Sequence, residues 1–163
     1  MSRITSPEHK ILTLEDAARL VAGWRVTAKT IAFTNGVFDL LHRGHIASLL
    51  QAGAEAERLV VGLNSDNSVK QLKGENRPVQ DQDTRALILA SLTMVDAVVI
   101  FDEDTPIHLI NTLNPDVLVK GGDYKAEEIV GGKEVLANGG RVVINPLVEN
   151  TSTTGIINML SGK

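Results

Sequence analysis

The stretch Thr34–Leu50, TNGVFDLLHRGHIASLL, constrains the fold more than any other. An apolar strand ends at Thr34, the chain turns through Asn35-Gly36, and a helix-spaced apolar run begins after His45. A strand, a glycine-bearing turn and a helix N-terminus together form a site for anions. Free backbone N–H groups and the positive end of the helix dipole converge there. His42 and His45 stand three residues apart around Gly44 at that point. Two imidazoles added to an anion site suggest a triphosphate whose charge is handled during chemistry. As a zinc site the pair lacks partners, because the chain has no cysteine and His9 and His108 sit in no matching constellation. Gly36 and Gly44 do not make the G-x-G-x-x-G pattern of a dinucleotide site, which argues against an NAD-binding redox domain.

The rest of the chain alternates strands and helices. Residues 1–10 read as a loose polar leader to a single domain spanning 1–163. Thr13 caps a helix whose apolar face carries Leu14, Ala17, Ala18, Val21 and Ala22. Strands are expected at Thr30–Thr34, Arg58–Asn64, Val95–Phe101, Asp116–Lys120 and Arg141–Asn145. Lys70–Pro78 reads as a charged loop. Helices are expected from Asp81 or Asp83 to about Thr93, over Thr105–Leu113, near Gly132–Asn138 and over Thr153–Leu160. This alternation predicts an α/β fold, a Rossmann-like three-layer sandwich with a five-stranded parallel sheet and helices on both faces. Ligands in such sheets sit beyond the carboxyl ends of the strands. The polar clusters lie at those ends: Thr34-Asn35-Gly36, Asn64 with Asp66, and Lys120-Gly121-Gly122-Asp123.

Other clusters have a structural and a functional reading. Thr151-Ser152-Thr153-Thr154 caps the last helix, and the same hydroxyls and N–H groups suit β- and γ-phosphates. Lys73 and Arg77 are either solvated charges or a loop closing over phosphate, the lysine offsetting charge in the transition state. Arg85 near a helix start opposes the dipole, which favours a functional contact. Lys120 is within reach of a phosphate, and Asp123 of a ribose hydroxyl or a base.

Bulk properties narrow the classes. A length of 163 residues suits one compact domain. A net charge of −4 argues against a nucleic-acid footprint. No apolar run approaches a membrane span, and MSRITSPEHK lacks the apolar core of a signal peptide. The absence of cysteine excludes a thiol nucleophile and fits the cytoplasm.

The segment GVFDLLHRGH resembles the signature of the nucleotidylyltransferase superfamily, H-x-G-H preceded by G-x-F-D. Gly36, Phe38, Asp39, His42, Gly44 and His45 all fall in place. The resemblance implies that both histidines grip the phosphates of a nucleoside triphosphate and stabilise charge on the α-phosphate. TSTT resembles the second signature, a Ser/Thr run opening the last helix. Some relatives carry an arginine shortly before that run, and 147–150, LVEN, supplies none. Within the superfamily, GLNSDNSV, LKGENRPVQDQDTRALILASL, VDAVVIFDEDTP, NPDVLVKGGDY and PLVENTSTTGII are similar to the adenylyltransferases of ADP-heptose synthesis. These occur fused to a sugar kinase or as separate proteins.

The resemblance implies transfer of AMP from ATP to a sugar 1-phosphate, D-glycero-β-D-manno-heptose 1-phosphate, with release of pyrophosphate, for lipopolysaccharide inner-core synthesis. His42, His45 and Lys73 would be catalytic. ATP would be held by Thr34, Asn35, Gly36, Phe38, Gly44, Lys120, Gly121, Asp123, Thr151, Ser152, Thr153 and Thr154. Asn64, Asp66, Arg77 and Arg85 would meet the acceptor. Mg²⁺ is expected with the ATP, and Asp39 is either its ligand or a residue bonding the turn. A homodimer is plausible, and a separate sugar kinase is implied upstream. The alternatives are a cytidylyltransferase acting on glycerol 3-phosphate or another small phosphate, and a nucleotide-binding module without turnover.

Overall fold

The computed structural model describes residues 5–122, 125, 128–146 and 153–160. Six parallel strands form one sheet: β1 (Ile11–Leu12), β2 (Ile31–Gly36), β3 (Arg58–Asn64), β4 (Ala97–Phe101), β5 (Val117–Gly121) and β6 (Arg141–Asn145). Their order is β1-β4-β3-β2-β5-β6. The helices are α1 (Leu14–Val26), α2 (Arg43–Ala54), α3 (Asp66–Lys73), α4 (Gln82–Ala90), α5 (Ile107–Leu113), α6 (Gly132–Ala137) and α7 (Thr153–Leu160).

Side chains alternate across the strands and give the sheet two apolar faces. Ile31, Phe33, Val60, Val99 and Leu118 pack with Ala17 and Val21 of α1 and with Leu109, Ile110 and Leu113 of α5. Ala32, Leu59, Val61, Val98 and Val119 pack on the other side with Leu49 and Ala52 of α2 and with Ala86 and Leu89 of α4. The three-layer sandwich is therefore as expected, with a sixth strand added. That strand is β1, which pairs Ile11 with Val98 and Leu12 with Val99. Residues 5–10 are not a loose leader. Ser6 caps a 3₁₀ turn over Pro7–Lys10, and Lys10 Nζ donates to the carbonyls of Leu92 and Val95 at 3.3 and 2.8 Å. Two residues cannot display an alternation, so this strand exists because the open edge of β4 pairs with it.

The stretch 70–78 also differs from the loop expected of it, because its first four residues complete α3. Ser65 caps that helix by accepting the Ser68 N–H at 3.1 Å, and Gly74 ends it at φ +95°. Only Ser68 and Val69 of α3 are buried. Its sequence therefore lacks an apolar stripe, and packing against β3 fixes the helix.

The chain runs outward from β2 to β3 and β4, then crosses back to place β5 on the other side of β2. β2 stays paired with β3 as far as Gly36 and Leu63. Its pairing with β5 stops at Phe33 and Leu118. The sheet therefore parts between β2 and β5 at their carboxyl ends, where the order reverses. A crevice opens there, and the site lies around it.

Candidate active site

His42 and His45 sit at the start of α2. His42 is its N-cap, with Nδ1 accepting the Gly44 N–H at 3.1 Å, and Nδ1 of His45 accepts the backbone N–H of His42 at 3.4 Å. The two imidazoles thus fill the places that Ser/Thr and Glu take in a capping box. The i, i+3 spacing serves structure and site together. Because both Nδ1 atoms accept, the proton of each neutral ring is on Nε2. The rings lie 3.9 Å apart between centroids, tilted by 31°. Burial holds the His42 pKa below its ordinary value. Burial, and then the nearby His42, lower that of His45 to about 4. Near neutral pH the pair is two uncharged N–H donors at a helix N-terminus.

This shift predicts a pH dependence of stability. His45 binds a proton near 6.5 when its surroundings are lost and near 4 in the fold. Its contribution is therefore complete above pH 6.5 and is lost as the pH falls toward 4. Urea midpoints should rise with pH across that window in the wild type, and rise less steeply in His45→Asn.

Phe38 holds the second histidine in place. Its backbone is left-handed at φ +47°, a conformation that costs a non-glycine residue energy. Its ring lies 5.5 Å from that of His45. The same ring rests on Gly36, where an added Cβ would meet Phe38 Cε2 at 3.0 Å. Gly36 is needed for this close approach. Gly36→Ala should shift the ring and lower turnover about tenfold, read in steady-state kinetics, because small misplacements weigh heavily on reaction geometry.

A cavity of about 450 Å³ opens against Gly36 and Val37, and His42 and His45 are not among the residues that line it. Asn35, Gly36, Asn64, Lys73 and Lys120, all expected at the site, line it. Lys120 is half-buried and its Nζ donates to Asn35 Oδ1 at 3.1 Å, bridging the parted strands. Burial lowers its pKa, since taking the ammonium out of water disfavours the charge. Lys73, the last residue of α3, stands exposed on the rim. Thr34 and Gly121 lie on β2 and β5 next to these residues. At the start of α7, Thr153 Oγ1 donates to Leu40 O at 3.3 Å, which brings the Ser/Thr helix to the loop preceding His42. Thr154 is exposed beside it. Thr151, Ser152 and Asp123 lie outside the described residues.

Four of the expected residues are engaged by partners within the chain. Asp39 is buried, and its carboxylate accepts from Arg77 Nε at 2.8 Å and from the N–H groups of Val79 and Gln80 at 2.9 and 3.0 Å. Those bonds are the turn-bonding role, one of the two expected of it. Arg77 is committed to that carboxylate. Arg85 is the largest fully buried side chain and donates to Asp66 Oδ1 at 2.7 Å. Arg77, Arg85 and Asp66, expected at the acceptor, make these protein contacts and do not line the cavity. Among the described residues no group of three His, Asp or Glu is arranged to hold a metal ion.

Sequence reasoning missed Asp104, Thr105 and Glu128, which also line the cavity. Asp104 and Thr105 follow the carboxyl end of β4, so the strand-end rule that drew attention to Asn64 also covered them. It missed Asn145 as well. This residue ends β6, is buried, and its Nδ2 has no hydrogen-bond partner among the described residues.

A parallel sheet parted at its switch point, with paired imidazoles on a helix N-terminus and lysines around the crevice, suits a phosphate-bearing ligand. The chain belongs to the cytidylyltransferase-like family, whose model matches residues 33–159. It is 54% identical over 159 residues to the bifunctional protein HldE of Rhodospirillum rubrum, covering 98% of this chain and 32% of that protein. The HldE protein of Caulobacter vibrioides is 55% identical over 150 residues, 92% of this chain and 31% of its own length. The chain thus spans about a third of the curated relatives it matches. A lipopolysaccharide core biosynthesis protein from Thermoplasma volcanium superimposes with a TM-score of 0.61 at 24% identity, over 76% of this chain and 99% of its own. A pantoate-beta-alanine ligase from Francisella tularensis shares the fold at a TM-score of 0.60 and 15% identity, over 93% of this chain and 76% of its own. Among the described residues no helix is long and apolar enough to cross a membrane.

Proposed function

We propose that this chain transfers AMP from ATP to D-glycero-β-D-manno-heptose 1-phosphate, giving ADP-heptose and pyrophosphate for lipopolysaccharide core synthesis. The observation that carries the transfer chemistry is the capping pair, which leaves two neutral Nε2–H donors at the start of α2. The identity to HldE proteins over nearly the whole chain supports the acceptor.

An oxygen of the sugar phosphate attacks the α-phosphorus in line. A bond to that oxygen forms, the bond to the bridging oxygen breaks, and pyrophosphate leaves with the electron pair. No covalent intermediate on the protein is required, so catalysis consists of positioning and charge stabilisation. His42 and His45 donate to the α-phosphate oxygens as charge builds there. The free N–H groups of α2 reinforce them. Lys120 and Lys73 attract the two phosphate groups and offset their mutual repulsion. Asn64, Asp104 and Glu128 supply partners for sugar hydroxyls. Mg²⁺ bound to the ATP would supply charge neutralisation, and among the described residues no group of three His, Asp or Glu is arranged to hold it. That fits a site whose buried carboxylate, Asp39, is already fully bonded. A sugar 1-phosphate acceptor calls for an upstream step that places phosphate on the anomeric oxygen, and a sugar kinase is compatible with that.

Pyrophosphate release with Mg²⁺, crossing ATP and CTP against the heptose 1-phosphate and glycerol 3-phosphate, tests the assignment. Release with ATP and the heptose phosphate alone is the expected result. Release with CTP and glycerol phosphate would keep the transfer chemistry and replace both substrates. No release in any mixture would overturn the reading in favour of nucleotide binding without turnover.

A further inference from the structure

We propose that Arg85 is a positioning residue, whose guanidinium sets the place of the histidine pair relative to the cavity wall. It rests on the transfer reading above for its kinetic consequence, but not for its geometry.

Arg85 lies one turn into α4 with a side chain that is 0% exposed. Its Nη1 donates to the carbonyls of Val37 at 2.6 Å and Asn64 at 2.9 Å. Its Nε donates to the carbonyl of Gln80 at 3.0 Å. These carbonyls belong to three segments far apart in sequence: the turn after β2, the end of β3, and the loop entering α4. Asp66 supplies the opposing charge. Val37 and Asn64 line the cavity. Val37 also directly precedes Phe38, whose left-handed backbone aims its ring at His45. One rigid fork therefore ties the cavity wall to the backbone that carries the ring holding His45.

Stability alone does not explain such a residue. Burying a guanidinium is costly, and well-packed apolar side chains commonly stabilise as much. The planar fork instead fixes several acceptors at set distances and angles, which an aliphatic chain cannot do. Lysine at this position would keep the charge and lose the fork. Two of the three segments it joins line the cavity, and the third, entering α4, is tied to the first again through Asp39. The Asp39 carboxylate draws Val79 and Gln80 toward the turn after β2.

The test is Arg85→Lys, with Arg85→Gln as a second variant that keeps planar donors without a buried charge. Circular dichroism and thermal unfolding establish the fold first. Folded variants are then compared by kcat, by KM for each substrate, and by the imidazole NMR signals of His42 and His45 in the absence of substrate. We expect kcat to fall about 10- to 100-fold, with KM changed less than about threefold, and the signals of His45 displaced, as small misplacements at a reaction centre do. A folded variant with wild-type kcat and unmoved imidazole signals would overturn the proposal. Collapse of both variants would also overturn it, assigning Arg85 to the stability of the whole fold. If the wild type releases no pyrophosphate, the transfer reading fails, and the imidazole signals alone still decide whether Arg85 positions the pair.

Discussion

His45→Ala should lower turnover by about 10²–10³, close to 3–4 kcal/mol of transition-state stabilisation. It should do so with little change in the KM for nucleotide. The reasoning is geometric. His45 is half-buried against Phe38 and accepts the His42 N–H, so its remaining nitrogen is a donor fixed at a helix N-terminus. A fixed donor is worth most where charge develops and less in the ground state, where helix N–H groups and lysines also hold the phosphates. The substitution also removes half of the capping box, and that loss is on the order of 1 kcal/mol of stability. Steady-state kinetics with a parallel unfolding curve separates the two effects. A fall in kcat at unchanged KM supports the donor role. A rise in KM alone would mean that His45 serves binding only.

Asp39→Ala should be the most damaging change outside the histidines, costing about 3–5 kcal/mol of stability. Its carboxylate is 1% exposed, and its partner Arg77 is 16% exposed. Burial pushes the Asp39 pKa up, but the N–H groups of Gln80 and Val79 and the Arg77 guanidinium outweigh that and hold it below the ordinary value. The net shift is downward, so this contribution is present above the unfolded carboxylate value of 3.8 and is lost only as the pH falls below it. Alanine would leave a buried guanidinium and two N–H groups without an acceptor. The urea midpoint at neutral pH should fall sharply, and a variant carrying both Asp39→Ala and Arg77→Met should recover part of the loss. A midpoint within 0.5 kcal/mol of the wild type, roughly the scatter of surface changes, would contradict the account.

The strand–turn–helix at 34–50 was legible because its signals are local, although β2 runs on through Asn35 and Gly36, where the turn was expected, and α2 starts at Arg43, ahead of His45. The turn, the histidine spacing and the helix pattern all fall within one short stretch. Likewise β3, β6 and α7 have the expected bounds, since continuous apolar runs and a Ser/Thr cap mark them. The elements that escaped are those defined by distant partners. β1 is two residues long and exists through β4. α3 is polar over most of its length and is fixed by a cap and one buried valine. Arg85 shows how far a local signal reaches. Its unfavourable place near a helix start marked it as unusual, but its partners lie 48, 21 and 5 residues away along the chain. Nothing in the local sequence could tell a buried fork from a substrate contact. Asp39 posed the same problem, because its acceptors' partners at 79 and 80 are about 40 residues downstream. The cavity itself was half legible, because Asn64 and Lys120 stand at the ends of their strands, whereas Asp104, Thr105 and Glu128 lie in the connections beyond the strand ends.

The most direct test of nucleotidyl transfer follows one oxygen. The acceptor phosphate is labelled with ¹⁸O on its non-bridging positions, and the products with ATP and Mg²⁺ are read by ³¹P NMR. The account predicts label in the oxygen joining the two phosphorus atoms of the sugar nucleotide, and pyrophosphate free of label. Formation of AMP with a pyrophosphorylated acceptor, or of ADP with a phosphorylated acceptor, would place the attack on the β- or γ-phosphorus and contradict it.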